Sequence, residues 1–330
     1  MLPLLNLAPE LFEFEMKKLI SIFCLILIIP PSIGEQSRLN FILVIMDDLR
    51  AQGLSIYGEK AMITPNIDEL SAEGVVFDYA IANFPACGAS RASIFTGLRP
   101  TRDRFTFAGT RIDEDTPSVK TLPEYLKDHG YHTVSIGKVF HSVNDTNQAW
   151  SSPRVDFRIG QKHPKNYLMA KNIEAQMNCE AKGTCVGKSK KSGAAPAFEV
   201  GLVEDDAYFD GRVAQAAISA LEAFKKNPAR PFFLSVGFYK PHLPFNAPEK
   251  YWRMYNRDSI LMSAAPDKPK HAPRNPWHGS GELRKFIGIP QAANLWVQNV
   301  PQDLTRTLTH GYYAATTYVD AQLGRIIDKL

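Results

Sequence analysis

The chain has 330 residues, 45% of them hydrophobic and 11% aromatic, enough apolar material for one large or two ordinary cored domains. Its formal net charge is +4 at pH 7, spread along the chain, which excludes an extended basic face for nucleic acid. The densest basic run, Lys188 to Lys191, lies among Gly and Ser and reads as a solvated loop.

The N-terminus has the form of a secretory signal. Met16-Lys17-Lys18 precedes an apolar run from Leu19 to Ile29, and Ser32 and Gly34 suit cleavage before Glu35. The run is too short to span a bilayer, so no stable membrane insertion is expected. Residues 1–34 are therefore assigned as signal peptide, with Met16 as an alternative start, and residues 35–330 as the folded part. The destination is periplasmic or extracellular, or lysosomal if the host is an animal. Removal of the signal takes Cys24 with it and leaves Cys87, Cys179 and Cys185. In an oxidising compartment the close pair Cys179 and Cys185 is expected to join, leaving Cys87 as the odd thiol.

The next elements alternate. "LNFILVIMDD" is a continuous apolar run ending in acid, as in a strand buried on both faces. Thr64-Pro65 predicts a helix start with Thr64 as N-cap. "GVVFDYA" predicts a strand, and "ASRASIFTG" a helix closed by Gly97. "TLPEYLKDHG" predicts a helix running into the strand "YHTVSIG"; a helix follows from Asp205 to Lys226, then the strand "RPFFLSVGF". Residues 142–204 and 241–300 read as long excursions. From Leu308 to Ile326 the apolar spacing is helical. The pattern is α/β, with a central, mainly parallel sheet flanked by helices.

The chemistry-bearing residues follow the strands. Asp47 and Asp48 end the first, where open α/β sheets bind ligands. Their mutual repulsion calls for a cation, and Ca²⁺ or Mg²⁺ suits carboxylate oxygens. Cys87 opens a helix whose dipole favours an anion, with Arg91 one turn on, the surroundings of an activated thiolate. Lys138 and His141 follow the strand Tyr131–Ile136, and Lys240 and His242 follow the strand Pro231–Gly237. Each pair alone also reads as surface residues or a structural cysteine. Four segments delivering Asp, Cys, Arg, Lys and His to one rim point to a catalytic site for an anionic substrate.

"CGASR" with the following Thr-Gly resembles the sulfatase signature, with Ala89 where Pro is commoner. "VIMDDLR", "TPNIDELSAEGVVF", "GKVFH" and "YKPHLPF" are similar to the iduronate-2-sulfatase branch of type I sulfatases, over about Asn40 to Leu330. The resemblance implies the alkaline-phosphatase-like sulfatase fold. It also implies that Cys87 is converted to Cα-formylglycine by a formylglycine-generating enzyme. Asp47, Asp48 and the modified Cys87 would ligate one Ca²⁺. Arg91 would hold the formylglycine oxygens, Lys138 and His141 would bind the diol and sulfate, and His242 would bind sulfate and assist the leaving oxygen. The substrate would be a sulfated sugar, iduronate-2-sulfate-like or another polysaccharide sulfate. In that family further metal ligands and a lysine follow at positions beyond Leu330, so residues 35–330 are expected to be the N-terminal portion of a longer catalytic domain with little activity alone. Two alternatives stay open: a phosphatase or phosphonate monoester hydrolase of the same superfamily, and an inactive fragment that only binds sulfated glycans.

Overall fold

Three parallel strands organise the molecule. The computed structural model describes residues 38–158, 167–182, 195–262, 271, 280–290 and 300–330, and the elements below all lie in the unit Asn40–Leu330. Strands β1 (Phe41–Asp47) and β2 (His132–Gly137) both pair with β4 (Phe232–Pro241), giving the order β1-β4-β2. β3 (Phe198–Gly201) and β5 (Phe245–Pro248) form a separate two-stranded parallel ribbon. The described helices are α1 (Pro65–Glu73), α2 (Cys87–Thr96), α3 (Ile112–Asp115), α4 (Leu122–Asp128), α5 (Ala170–Lys182), α6 (Phe209–Lys225), α7 (Glu249–Arg253) and α8 (Gln302–Ile327).

The central strand is buried on both faces, which is why its sequence is apolar without alternation. Its side chains nonetheless alternate in direction. Leu234, Val236 and Phe238 enter a core with Val213, Ala217 and Leu221 of α6 and Val319 and Ile326 of α8. Phe233 enters the opposite core with Phe95 of α2, Phe140 and Trp150. The sheet is thus covered on both sides, an α/β layered arrangement. No helix among the described residues is long and apolar enough to cross a membrane.

Two local expectations hold. The helix read in "TLPEYLKDHG" is α4, which a reciprocal capping box of Thr121 and Glu124 opens. Gly97 closes α2 in the left-handed region, at φ 70°, with its N–H donating to the Ser93 carbonyl. Others need correction. The stretch "GVVFDYA" is not a strand: Val75, Phe77 and Tyr79 are exposed and no described strand lies beside them. Apolar alternation is only half of a strand; the other half is a hydrogen-bonding neighbour. Thr64 does not cap α1, its hydroxyl being buried without a partner. Asp320 of α8 does so from across the fold, accepting the Asn66 and Ile67 N–H groups at 3.2 and 2.8 Å. The helix expected from Asp205 begins as a 3₁₀ turn, Asp205–Ala207, before α6.

The two excursions carry structure of their own, α5 and β3 in the first, β5 and α7 in the second. Buried Glu199 of β3 accepts from the Leu168 and Met169 N–H groups at 2.8 and 3.0 Å and so holds the start of α5. The signal segment 1–34 and Cys185 lie outside the described residues, so the Cys179–Cys185 pairing does too.

Candidate active site

Because β1, β2 and β4 are parallel, their carboxyl ends open on one rim, and the chain that follows each strand lines it. Asp47 is the last residue of β1 and lies opposite Pro241 of β4 across a register shift. Arg91 of α2 donates to Asp47 Oδ1 at 2.7 Å, to the Val139 carbonyl at 2.8 Å and to the Lys138 carbonyl. Lys138 directs its ammonium at Asp47 Oδ2 and lies 4.4 Å from the centre of the Tyr239 ring. Burial alone would raise the Asp47 carboxyl, but Lys138, then Arg91 and His242, hold it well below the usual carboxylate range. The expectation that the acidic pair depends on a metal for compensation is thus only half met: two side-chain cations already serve Asp47.

Asp48 is different. Its backbone is left-handed, at φ 61°. Burial and the neighbouring Asp47 push its carboxyl up to about 6. The Asp48 turn is tied to α8 by one hydroxyl: Tyr312 Oη donates to the Asp48 carbonyl at 2.8 Å and accepts the Arg50 N–H at 3.0 Å.

Cys87 is the first residue of α2, half-buried, with Sγ 3.9 Å from Asp47 Oδ2. The activated-thiolate reading is overturned. Burial, then Asp47, push the thiol up to about 11, outweighing Lys138 and Arg91. The Arg91 guanidinium, expected beside the cysteine, is engaged with Asp47 and two carbonyls, and no hydrogen bond joins Arg91 to Cys87 among the described residues.

His242 follows β4 in a turn with cis Lys240–Pro241 and Leu243–Pro244 peptides. Its Nδ1 lies 2.6 Å from the Leu243 carbonyl, which fixes Nδ1 as the donor. Nε2 then faces Asp48 Oδ2 at 3.7 Å, Glu282 Oε1 at 3.7 Å and Asp47 Oδ2 at 3.9 Å. Burial, then Lys138, push His242 down to about 3 against the pull of Asp47. Lys240 turns away from the rim and donates to the His242 and Pro244 carbonyls at 3.2 and 2.5 Å. His141 is pushed down to about 4 by burial and by Lys138, and its Nδ1 is buried without a hydrogen-bond partner.

The expected residues therefore meet, in a modified arrangement. Asp47, Cys87 and His242 place a carboxylate oxygen, a sulfur and an imidazole nitrogen within 4.8 Å of one another, with Asp48 beside them through His242. The carboxylates suit a hard cation such as Ca²⁺; a thiol sulfur does not, whereas an oxygen at its position would. Two residues went unnoticed in the sequence. Glu282 comes from a segment with no regular pattern. Asp210, fully enclosed at the start of α6, accepts the Tyr239 N–H at 2.5 Å and steadies the end of β4. It had no signal of its own in the sequence, since the helix read from Asp205 put it in the second turn; it lies in the first turn of the helix as it forms.

A family model described as Sulfatase matches residues 39–330. Iduronate 2-sulfatase of Mus musculus is 32% identical over 297 residues, covering 88% of this chain and 51% of its own length. Iduronate 2-sulfatase of Homo sapiens is 32% identical over 299 residues, with the same coverage. The chain thus spans about half the length of these curated relatives. Among solved structures, the phosphonate monoester hydrolase of Agrobacterium radiobacter superposes with a TM-score of 0.61 at 22% identity, covering 89% of this chain and 59% of its own. At that identity the likeness speaks for the alkaline-phosphatase-like fold alone, and the fold is α/β as expected.

Proposed function

Since the chain belongs to the sulfatase family, we propose that the protein hydrolyses sulfate esters of sugars, in the manner of its iduronate 2-sulfatase relatives. The observation that carries this reading is the gathering of Asp47, Cys87 and His242 within 4.8 Å, with Lys138 on Asp47. Sulfate is a tetrahedral anion, and a rim of Lys and His beside carboxylates supplies both a cationic partner and a proton acceptor.

A thiol pushed up to about 11 is almost wholly protonated at neutral pH and is a poor nucleophile. Conversion of Cys87 to formylglycine by its generating enzyme would supply an aldehyde whose hydrate carries two hydroxyls: one would attack sulfur and release the sugar alcohol, and the other, once deprotonated, would expel sulfate and restore the aldehyde. Asp47, Asp48 and the oxygen at position 87 would hold Ca²⁺, which supplies Lewis-acid polarisation of the sulfuryl oxygens. Around that centre the chain's own side chains have distinct tasks. Arg91 clamps Asp47 and the chain after β2. Lys138 neutralises charge on the sulfate while remaining in reach of Asp47. His242 has its tautomer set by the Leu243 carbonyl, so Nε2 is the atom that accepts a proton and returns it to the leaving oxygen. His141, with its unpartnered Nδ1, is assigned to the sulfate oxygens. Residues 35–330 are read as the N-terminal portion of the catalytic domain and residues 1–34 as the signal that routes it to a periplasmic, extracellular or lysosomal compartment.

The test begins with a mass spectrum of the Cys87 peptide from protein made with the generating enzyme. Formylglycine appears as a loss of about 18 Da, an aldehyde in place of CH₂SH. Release of sulfate from an aryl sulfate and a sulfated disaccharide, with and without chelator, is then compared with release of phosphate from an aryl phosphate. Turnover by the unmodified thiol, or of the phosphate ester alone, would sink the reading.

A further inference from the structure

β2 leads straight into the stretch that brings Lys138 and His141 to the rim. Lys138 is held there by its own side chain, through Asp47. His141 is not. Its Nδ1 is buried without a hydrogen-bond partner, so the place of the ring depends on packing and on the backbone beneath it. That backbone is gripped from a neighbouring segment. Val155 extends the sheet beside β2, donating its N–H to the Ser135 carbonyl at 3.1 Å and accepting the Gly137 N–H at 2.7 Å. Three residues on, Arg158 donates from Nη1 to the His141 carbonyl at 2.9 Å and from Nη2 to the Phe140 carbonyl at 3.1 Å. Asp156, its side chain only 2% exposed, accepts from Arg158 Nε at 2.9 Å and from Nη2 at 2.6 Å. Arg154 donates to two carbonyls further along, those of Val143 and Asp145, at 3.0 and 3.2 Å.

We propose that Arg158, backed by Asp156, is a positioning residue that sets where the His141 imidazole meets the anionic group of the substrate. The role rests on the sulfate-ester reading above, in which His141 faces the sulfate oxygens. Arg158 itself touches the peptide of His141 rather than the reacting group. A guanidinium suits the task because its N–H groups lie in one rigid plane. With Asp156 on Nε and Nη2, and two successive carbonyls on Nη1 and Nη2, fixing that plane fixes the Phe140 and His141 peptides together. Every bond in the clamp is charge-assisted, the stronger kind. A lysine at this position would be a point charge with no plane to impose. The unpartnered Nδ1 of His141 points the same way: a buried polar nitrogen costs free energy unless a ligand meets it. The Arg158 charge, after that of Lys138, also opposes a proton on the ring. A neutral imidazole still has one N–H to donate to a sulfate oxygen.

The first arm of the experiment needs no turnover. This chain is labelled with ¹³C at histidine Cε1, and the His141 NMR signal is identified by its loss in His141→Gln. Wild type is expected to show one His141 signal, displaced from the position of an unfolded histidine. In Arg158→Lys, and in Asp156→Asn as a second variant, that signal should move toward the unfolded position or broaden away, while the other folded histidine signals stay. A His141 signal unmoved in both variants overturns the proposal. The second arm measures kcat/KM for sulfate release from an aryl sulfate, in protein of the length of its relatives. Arg158→Lys should lower it about 10–100-fold, as a misplacement of about 1 Å does. In a His141→Gln background the same substitution should change it by no more than about 2-fold, because nothing is left to position. Equal losses in both backgrounds would mean that Arg158 supports the fold alone, and would overturn the proposal. A His141 signal that depends on Arg158, in a protein that releases no sulfate, would instead refute the sulfate-ester reading and leave the clamp standing.

Discussion

Gly237 is a position where one methyl group should be felt at the candidate active site. It pairs in register with Gly137 at the point where β2 and β4 reach the rim. A Cβ on Gly237 would lie 2.1 Å from both the carbonyl carbon and oxygen of Lys138 and 2.5 Å from Val139 N. Carbon atoms in contact sit about 3.5–4.0 Å apart, so the chain after β2 would have to move by roughly 1.4 Å or more. It has little freedom to do so. The Lys138 N–H donates to the Gly237 carbonyl at 2.7 Å, and the Lys138 carbonyl accepts from Arg91. Overpacking of this kind costs about 1–3 kcal/mol, occasionally more, and a backbone-to-backbone clash belongs at the upper end. At about 2–4 °C per kcal/mol for a domain of this size, Gly237→Ala should melt roughly 6–12 °C below wild type. Gly281→Ala is the control, since a Cβ there meets nothing within 4 Å, and its melting temperature should stay within about 2 °C. Differential scanning calorimetry of the three proteins decides it. A Gly237→Ala protein melting within about 2 °C of wild type would mean that the strand ends are not in tight contact, and the account of how Lys138 is held over Asp47 would fall with it.

Asp320→Ala should destabilise by about 1–3 kcal/mol in urea denaturation, because two N–H groups of α1 and the Asn66 amide lose a buried acceptor; a cost below about 0.5 kcal/mol would refute the capping role. Asp145 is buried, accepts the Ile112 and Asp113 N–H groups, and is pushed up to about 6, chiefly by burial. Its folded pKa exceeds its unfolded value, so its contribution is fully present below about pH 4 and lost as pH rises through 6. Asp145→Asn should therefore gain about 2–3 kcal/mol on wild type between those limits, and parallel stability–pH curves would contradict this. Cys87→Ser should abolish sulfate release in protein of the length of its relatives, since serine has one hydroxyl where the proposed chemistry uses two; retained turnover would remove formylglycine from the mechanism.

Two of the strands that carry the site were readable because a parallel sheet covered on both faces leaves nearly continuous apolar runs, as in "NFILVIMDD" and "FFLSVGF"; "HTVSIG" was readable instead from its β-branched residues directly after a helix. Their ends were readable for the same reason: polarity returns abruptly where the rim begins. What failed depended on partners far away in sequence. "GVVFDYA" has the pattern of a strand, but pattern does not supply a neighbour. Thr64 sits where a cap belongs, yet Asp320, more than 250 residues later, supplies the carboxylate. Lys240 and Lys138 look alike in sequence; only the fold turns one to carbonyls and the other to Asp47. The direction of the Cys87 shift was misjudged because a helix dipole and an arginine are visible locally, whereas burial and the acid of β1 are not.

The ties between α8 and the opening segment also bear on timing during synthesis. Tyr312 closes the Asp48 turn, and Asp320 closes α1 over a separation of 253 residues. At about 5–20 residues per second, the ribosome needs roughly 13–50 s after making Ile67 before Asp320 exists. For that interval neither the turn carrying Asp48 nor the N-terminus of α1 can reach its final form, and long-range closures of this kind are slow even once the chain is complete. The segment around Cys87 is emerging in the same window, before the sheet that buries it has its central strand. Were Cys87 converted as proposed, the modifying enzyme would find the thiol unburied in that interval.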